Sequence, residues 1–224
     1  GIPAAWGVFQ QPVMDEYGLS EQGAGYAFGI LIAAFGVGCV LGGFLQDSRG
    51  PRCAALWGTA LLCGGFFAAA MLPGGSAGSF FLAFSIPAGL GTAFLYPSIQ
   101  SCAQKWYAGR KGLATGVIGG AVGLSGAFLT VFVRTAVSGF GIVQGIRGAF
   151  WALGAVTLPV CLAGSLLLQD PPQDAEKQQQ NDKNTIDLSP WQMLKTKQYW
   201  LCAGAVCFST PAVLLFSPIV LKLG

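Results

Sequence analysis

The sequence predicts an all-α membrane protein, and three observations carry that prediction. Charge is scarce: 9% of residues are Asp, Glu, Lys or Arg and 53% are hydrophobic, against roughly 25% charged in an ordinary soluble domain. A chain of 224 residues with 21 charges cannot cover a water-facing exterior, so its surface must face lipid. The uncharged runs share a length, about the 20 residues that a helix rising 1.5 Å per residue needs to cross ~30 Å of hydrocarbon. Finally, the basic residues gather in alternate connections between those runs, as they do in proteins that cross a membrane repeatedly.

The elements follow in order along the chain. A first apolar stretch runs from Gly1 to about Met14, shorter than a full crossing. The second span covers about Gly23 to Leu45 and the third Cys53 to Leu72, with the charged turn "GGFLQDSRGPR" at 42–52 between them. Pro73-Gly-Gly-Ser-Ala-Gly-Ser79 is a turn signal. The fourth span then runs from Phe80 to about Ala103, the fifth from Leu113 to Val133 and the sixth from about Gly148 to Leu168. After a polar stretch, a seventh covers Tyr199 to Leu221. Backbone in lipid must satisfy its own hydrogen bonds, so these spans are helices. The chain begins and ends in apolar sequence, with no signal peptide visible, and reads as a piece of a longer protein.

Orientation follows from the cations. The side holding the 42–52 turn, side A, also receives Lys105, Arg110, Lys111, Lys177, Lys183, Lys195 and Lys197 beside Arg49 and Arg52. The opposite side receives Arg134, Arg147 and Lys222, together with Asp15, Glu16 and Glu21. Nine cations against three predict that side A is cytoplasmic. The segment Gln169 to Gln198 is charged, rich in Gln and Asn, and predicted to be mobile. Ser189 can cap a short helix beginning at Pro190, whose Trp191, Met193 and Leu194 suit a membrane interface.

Composition also excludes functions. There is no histidine, which removes the usual general base and the commonest metal ligand. The seven cysteines (Cys39, Cys53, Cys63, Cys102, Cys161, Cys202, Cys207) form no CxxC pair and lie mostly in apolar runs, as small hydrophobes do. No carboxylate lies deep in a complete span, so an intramembrane proton relay has no carrier. "GLGT" at 89–92 and "GGAVG" at 119–123 follow no strand and are not nucleotide loops. No catalytic residue, metal site or cofactor is expected, and no basic patch fits nucleic acid. The lipid bilayer is the partner that composition requires.

Two features point to moving parts. Gly112, Gly116 and Gly120 repeat every fourth residue in the fifth span, Gly119 and Gly123 form a neighbouring pair, and Gly38–Gly42 and Gly25–Gly29 do the same in the second. Such faces let helix backbones approach closely, for static packing or for sliding. Pro87, Pro97, Pro159, Pro211 and Pro218 each remove a backbone donor and can kink a helix. Tyr96-Pro97 and Ser209-Thr210-Pro211 combine a kink with polar side chains, as a solute path or a packing kink would.

Gly43-Phe-Leu-Gln-Asp47-Ser-Arg49-Gly50-Pro51-Arg52 resembles the connection between helices 2 and 3 of the major facilitator superfamily, with the "GPR" ending of its oxalate/formate antiporter and monocarboxylate transporter branches. "GLGTAFLYPSIQSCAQKWYAGRKGLATGVIGGAVGLSG" (89–126) is similar to those branches' helix 4, loop and helix 5. "SPWQMLKTKQYWL" (189–201) is similar to the approach to helix 7, and "WGVFQQPV" (6–13) to the end of helix 1. The resemblance implies an N-terminal six-helix bundle over 1–168 with its first helix truncated, a cytoplasmic linker over 169–198, and a truncated first helix of a C-terminal bundle over 199–224. It implies secondary active or facilitative transport of a small mono- or dicarboxylate by alternating access in a multi-pass plasma-membrane protein. Alternatives are a non-transporting receptor or sensor, a carrier of a neutral solute and, given polar groups elsewhere, a membrane-embedded enzyme. The C-terminal bundle and a small organic anion are the implied partners.

What the resemblance implies residue by residue is as follows. Asp47 and Arg52 would latch the closed cytoplasmic side with Gly43, Arg49, Gly50 and the second basic cluster Lys105, Arg110 and Lys111. The solute path would draw on Trp6, Phe9, Tyr96, Ser98, Ser209 and Thr210, which bring aromatic faces and hydroxyls but no positive charge. That charge would come from the other half or from Arg134 and Arg147, whose place at helix ends equally suits snorkelling. The chain departs from the pattern at Ser48 and Arg49 and near Ser85, where many proton-coupled members carry arginine. It departs again at Gly123-Leu-Ser-Gly126, which lacks a common Gly-Pro, and at Gln192 and Lys197.

Overall fold

The computed structural model describes residues 2–75, 77–139, 145–169, 195–197, 200–201 and 204. Among them every regular element is helical: α1 Ile2–Tyr17, α2 Glu21–Arg49, α3 Pro51–Met71, α4 Ala77–Trp106, α5 Lys111–Gly139 and α6 Gly145–Leu167. All but α1 are long and apolar enough to cross a membrane. The chain divides into two compact units, Gly1–Pro171 and Pro172–Gly224, and all six helices belong to the first. Most of the polar segment and of the seventh span lies outside the described residues, as do Ser189, Pro190, Trp191, Met193, Leu194, Ser209 and Thr210.

The helices start and stop for local reasons. Ser20 caps α2, its Oγ accepting from Gly23 N at 3.1 Å, and Glu21 faces the positive end of the helix dipole. The charged turn is far shorter than eleven residues: α2 continues through Asp47 and Arg49, and one residue, Gly50, joins it to α3. Gly50 has φ 84° and ψ 164°, a backbone region that only glycine occupies readily. Pro51 then opens α3, where its missing N–H and fixed φ suit the first turn.

α4 contains a feature that periodicity did not predict. Phe81–Ser85 is a π turn, with Ile86 N–H bonded to Phe81 O. Ile86 is therefore withdrawn from Leu82 O, and Pro87 has no N–H to give Ala83 O, so two carbonyls lose their usual helical donors. Ser85 is fully buried there and its hydroxyl has no hydrogen-bond partner among the described residues. Pro97 and Pro159 lie inside α4 and α6.

Lipid supplies little hydrophobic drive between helices, so close backbone approach and van der Waals contact must hold them together. α4 is wedged between α2 and α3 by glycines. A Cβ on Gly91 would sit 2.5 Å from Leu62 N of α3, and one on Gly58 2.8 Å from Gly91 O. A Cβ on Gly89 would collide with Leu31 O of α2, and Gly38 and Gly42 of α2 lie against Leu90, Ala93 and Phe94 of α4. α6 joins α3 through Gly154 beneath the Phe67 ring and through a buried hydroxyl pair. Thr59 gives its hydrogen to Ala55 O (2.9 Å), so Ser165 must be the donor in their 3.0 Å contact.

An aromatic cluster fills the centre. Trp6 stacks on Phe28 and Phe84 with centroids 5.8 and 6.4 Å apart, Phe9 lies parallel to Phe150 at 5.9 Å, and Phe66, Phe80 and Phe84 close the group. Tyr17 sits at its edge, 4.7 Å from Phe80, and donates to Ala69 O at 2.7 Å. Each such ring pair adds about 0.5–1.5 kcal/mol beyond the area it buries.

Candidate functional site

The ends of α2, α3, α4, α5 and α6 come together at side A. Asp47, Arg49 and Arg52 are exposed there, as are Arg110 and Lys111, and Lys105 is half-buried. A 3₁₀ turn, Ala108–Arg110, carries the chain from α4 into α5. Gln104 Nε2 donates to Thr115 Oγ1 at 2.9 Å, tying those two helices together. Ser48 donates to Leu45 O at 3.2 Å, and Gly43 has open space where a Cβ would be.

The two residues with an implied latch role have different surroundings. Arg52 donates through Nη2 to Leu166 O, one of the last carbonyls of α6, which lack helical donors. Its partner is 114 residues away in sequence but in the same bundle. Asp47 makes no ion pair or hydrogen bond with any described residue. The carboxylate is thus open to an outside group while the guanidinium is engaged. A recess of about 390 Å³ lies between Gly50-Pro51-Arg52 and Leu168-Gln169. Gln169 O accepts from Trp106 Nε1 at 2.8 Å and from Cys102 Sγ at 3.2 Å. Sequence reading missed Cys102 and Trp106, because no local pattern ties them to residue 169.

The opposite end carries its own contact. Arg147 Nε, at the start of α6, lies 2.8 Å from Glu16 Oε1 at the end of α1. The alignment falls short of a hydrogen bond, so the contact is an ion pair. Gly75 N–H donates to Glu16 O at 3.2 Å and joins the α3–α4 turn to the same corner. Arg147 therefore has a carboxylate partner, and Arg134 is exposed.

Of the solute-path candidates, Trp6 and Phe9 lie buried in the aromatic cluster. Ser98 is buried and donates to Phe94 O at 2.7 Å, and Tyr96 is half-buried. None of them lines a cleft of about 400 Å³ walled by α1, α3, α4, α5 and α6. Its polar positions are Thr92, Ser125, Thr157 and Cys161, and no charged residue lines it. Thr92 and Ser125 each give their hydrogen to their own helix, to Ala88 O and Val122 O at 2.8 Å, and show the cleft only lone pairs. The signal for these hydroxyls was their place in charge-free spans, which is too common to single them out.

The glycines separate in the same way. Gly38 and Gly42 lie in the seam with α4, whereas Gly25, Gly29, Gly112, Gly116, Gly119, Gly120 and Gly123 have nothing within 4 Å of a would-be Cβ among the described residues. Among the described residues no group of His, Cys, Asp and Glu could hold a metal ion, and no cysteine is in a disulfide.

Comparison with known proteins adds to this geometry. A family model described as Major Facilitator Superfamily matches residues 3–224. The chain is 24% identical over 203 residues to "Oxalate:formate antiporter" from Oxalobacter formigenes, covering 90% of this chain and 46% of that protein. It is 28% identical over 173 residues to "Monocarboxylate transporter 9" from Rattus norvegicus, covering 75% of this chain and 32% of that one. An "Uncharacterized 38 kDa protein in 23S RNA operon" from Thermoproteus tenax is 28% identical over 220 residues, 98% of this chain and 53% of its own. Thus the chain spans about half or less of the length of these curated relatives. Among solved structures, a peptide transporter POT (E310Q mutant, in complex with sulfate) shares the fold, with TM-score 0.54 and 22% identity over 96% of this chain and 45% of that one.

Proposed function

Since this chain belongs to the Major Facilitator Superfamily, we propose that it forms one bundle of an integral membrane carrier that moves a small mono- or dicarboxylate by alternating access. Residues 1–168 are the N-terminal bundle, 169–198 a cytoplasmic linker and 199–224 the start of a second bundle, in a plasma-membrane protein. The printed names of two relatives, an oxalate:formate antiporter and a monocarboxylate transporter, support the substrate class. Solute binds near the midplane between bundles and is exposed to either side as they rock. The family is one of transporters, and chemical catalysis has no part in this reading.

One observation carries the mechanism: Asp47 is exposed and has no partner among the described residues, while its neighbour Arg52 is engaged within its own bundle. A carboxylate held at the end of α2 can meet a helix N-terminus of the second bundle when the cytoplasmic side closes. Such a contact is worth about 0.3–1 kcal/mol, weak enough to break in every cycle. Arg49, Lys105, Arg110 and Lys111 give the same side a positive potential that concentrates anions at the cytoplasmic mouth. The exposed glycine faces of α2 and α5 give a second bundle a smooth surface on which to move. Trp6, Phe9, Tyr96 and Ser98 line the path only if α1 and α4 shift, and Ser209 and Thr210 would complete it from the other bundle.

This bundle supplies an anion with no buried positive charge, since Arg147 is paired with Glu16. The neutralising cation therefore belongs to the second bundle. The uncharged, acceptor-lined cleft favours one alternative, a neutral solute. Uptake of labelled oxalate, formate and lactate into proteoliposomes holding the full-length carrier tests both. Saturable, mutually competing uptake is expected. Uptake of none, with binding retained, would mark a receptor, and uptake of neutral solutes alone would remove the carboxylate reading.

A further inference from the structure

Three side-chain donors from two helices converge on the exit of α6. Arg52, in the first turn of α3, donates to Leu166 O; Trp106 and Cys102, in the last turns of α4, both donate to Gln169 O. The last carbonyls of a helix lack intrahelical donors and must find partners elsewhere. Leu166 O finds one on α3, and Gln169 O, two residues past the helix, finds two on α4; an indole donor and a guanidinium are better than water at holding a fixed direction. α3 is already welded to α6 by the Thr59–Ser165 hydroxyl pair and by Gly154 under Phe67. α4 is welded to α3 by Gly58 and Gly91. The exit of α6 is thus tied to the two most rigidly packed helices in the bundle.

We propose that Arg52, Cys102 and Trp106 form a permanent clasp that fixes where the polypeptide leaves the bundle at Gln169. Arg52 and Trp106 are positioning residues: they act on the exit of α6 and not on solute. This splits the charged turn into two roles, with Arg52 serving its own bundle and Asp47 serving the contact between bundles. It goes beyond the transport reading and borrows from it only the assignment of Asp47. The clasp stays closed whichever way the carrier faces, because every contact in it lies within one packed unit.

The native Cys102 thiol provides the test. Gln169→Cys in the full-length carrier, in membranes treated with a mild oxidant, places a second thiol beside it. Mass spectrometry of digested protein identifies the Cys102–Cys bond, with Leu167→Cys as the control, since Leu167 faces outward. A high yield is expected for Gln169→Cys and a background yield for Leu167→Cys. Adding Trp106→Phe, which keeps the ring and loses the donor, or Arg52→Gln should lower the yield several-fold, with partial recovery for Arg52→Lys. Uptake by the bridged protein should match that of the reduced protein. Equal yields for the two cysteines would overturn the clasp, and loss of uptake on bridging would overturn its permanence. The bridging readout needs no transport, so a carrier that moves no carboxylate leaves this test intact.

Discussion

Gly89 and Gly91 on α4 and Gly116 and Gly120 on α5 sit in helices of similar composition, yet their surroundings are opposite. A methyl group at Gly91 would press on backbone of α3, whereas at Gly120 it would meet no described atom within 4 Å. In the apolar window of α3, 56% of residues are buried; in that of α5, 11% are. The seam between α3 and α4 is a finished core, whereas α5 leaves most of its apolar window uncovered by the described residues. Small residues therefore have two uses here: one closes a seam for good, the other leaves a surface on which something else can rest and move.

The sharpest way to break this contrast is to empty the finished part. Phe150→Ala removes a ring that touches Phe9, Phe66, Phe80 and Phe84, and should cost about 3–5 kcal/mol. It is read as a large drop in the thermal midpoint in detergent, or as no recoverable folded protein. Next comes Gly91→Ala: overpacking against Leu62 backbone should cost about 1–3 kcal/mol or more. Gly120→Ala should leave the midpoint unchanged or raise it, by up to about 1 kcal/mol from helix propensity. Equal losses for Gly91→Ala and Gly120→Ala would erase the distinction between the two faces.

Bulk at the free face sharpens the comparison differently. Gly120→Leu should leave the bundle's midpoint intact but hinder approach of the second bundle by about 1–3 kcal/mol, a loss of uptake between roughly fivefold and a hundredfold or more. The charged turn divides along the same line. Asp47→Asn should lower uptake without moving the midpoint, whereas Arg52→Gln should lower the midpoint by the equivalent of about 1–3 kcal/mol, the cost of a lost charged hydrogen bond. Smallest is Glu16→Gln. Its half-exposed pair with Arg147 should contribute about 0–1 kcal/mol, seen as a shift in midpoint that shrinks in added salt.

What the sequence revealed tracks how local each cause is. The spans were legible because a charge inside lipid is costly wherever it falls, so charge-free runs mark helices directly. Gly50-Pro51 announced a helix break, although α2 and α3 reach closer to it than the eleven-residue charged stretch suggested. The family was legible from the same turn and from the 89–126 stretch. The working glycines were not, because every-fourth-residue spacing is identical in α2 and α5 and only the partner helix decides which is buried. Arg52's carbonyl partner lies in a different helix, 114 residues on, and no rule of spacing reaches that far. Nor was the π turn foreseen, since it arises from the competition of Phe81 and Leu82 for one N–H next to Pro87.

The single-residue joint at Gly50 has a mechanical consequence. A crank needs slack at its elbow to slide, and this elbow has none. With one residue between them, α2 and α3 cannot ratchet past each other by a helical turn of ~5.4 Å without tearing one end open. Any movement of the pair is that of a hairpin of fixed length, so a tilt about its far end displaces the Asp47 end most.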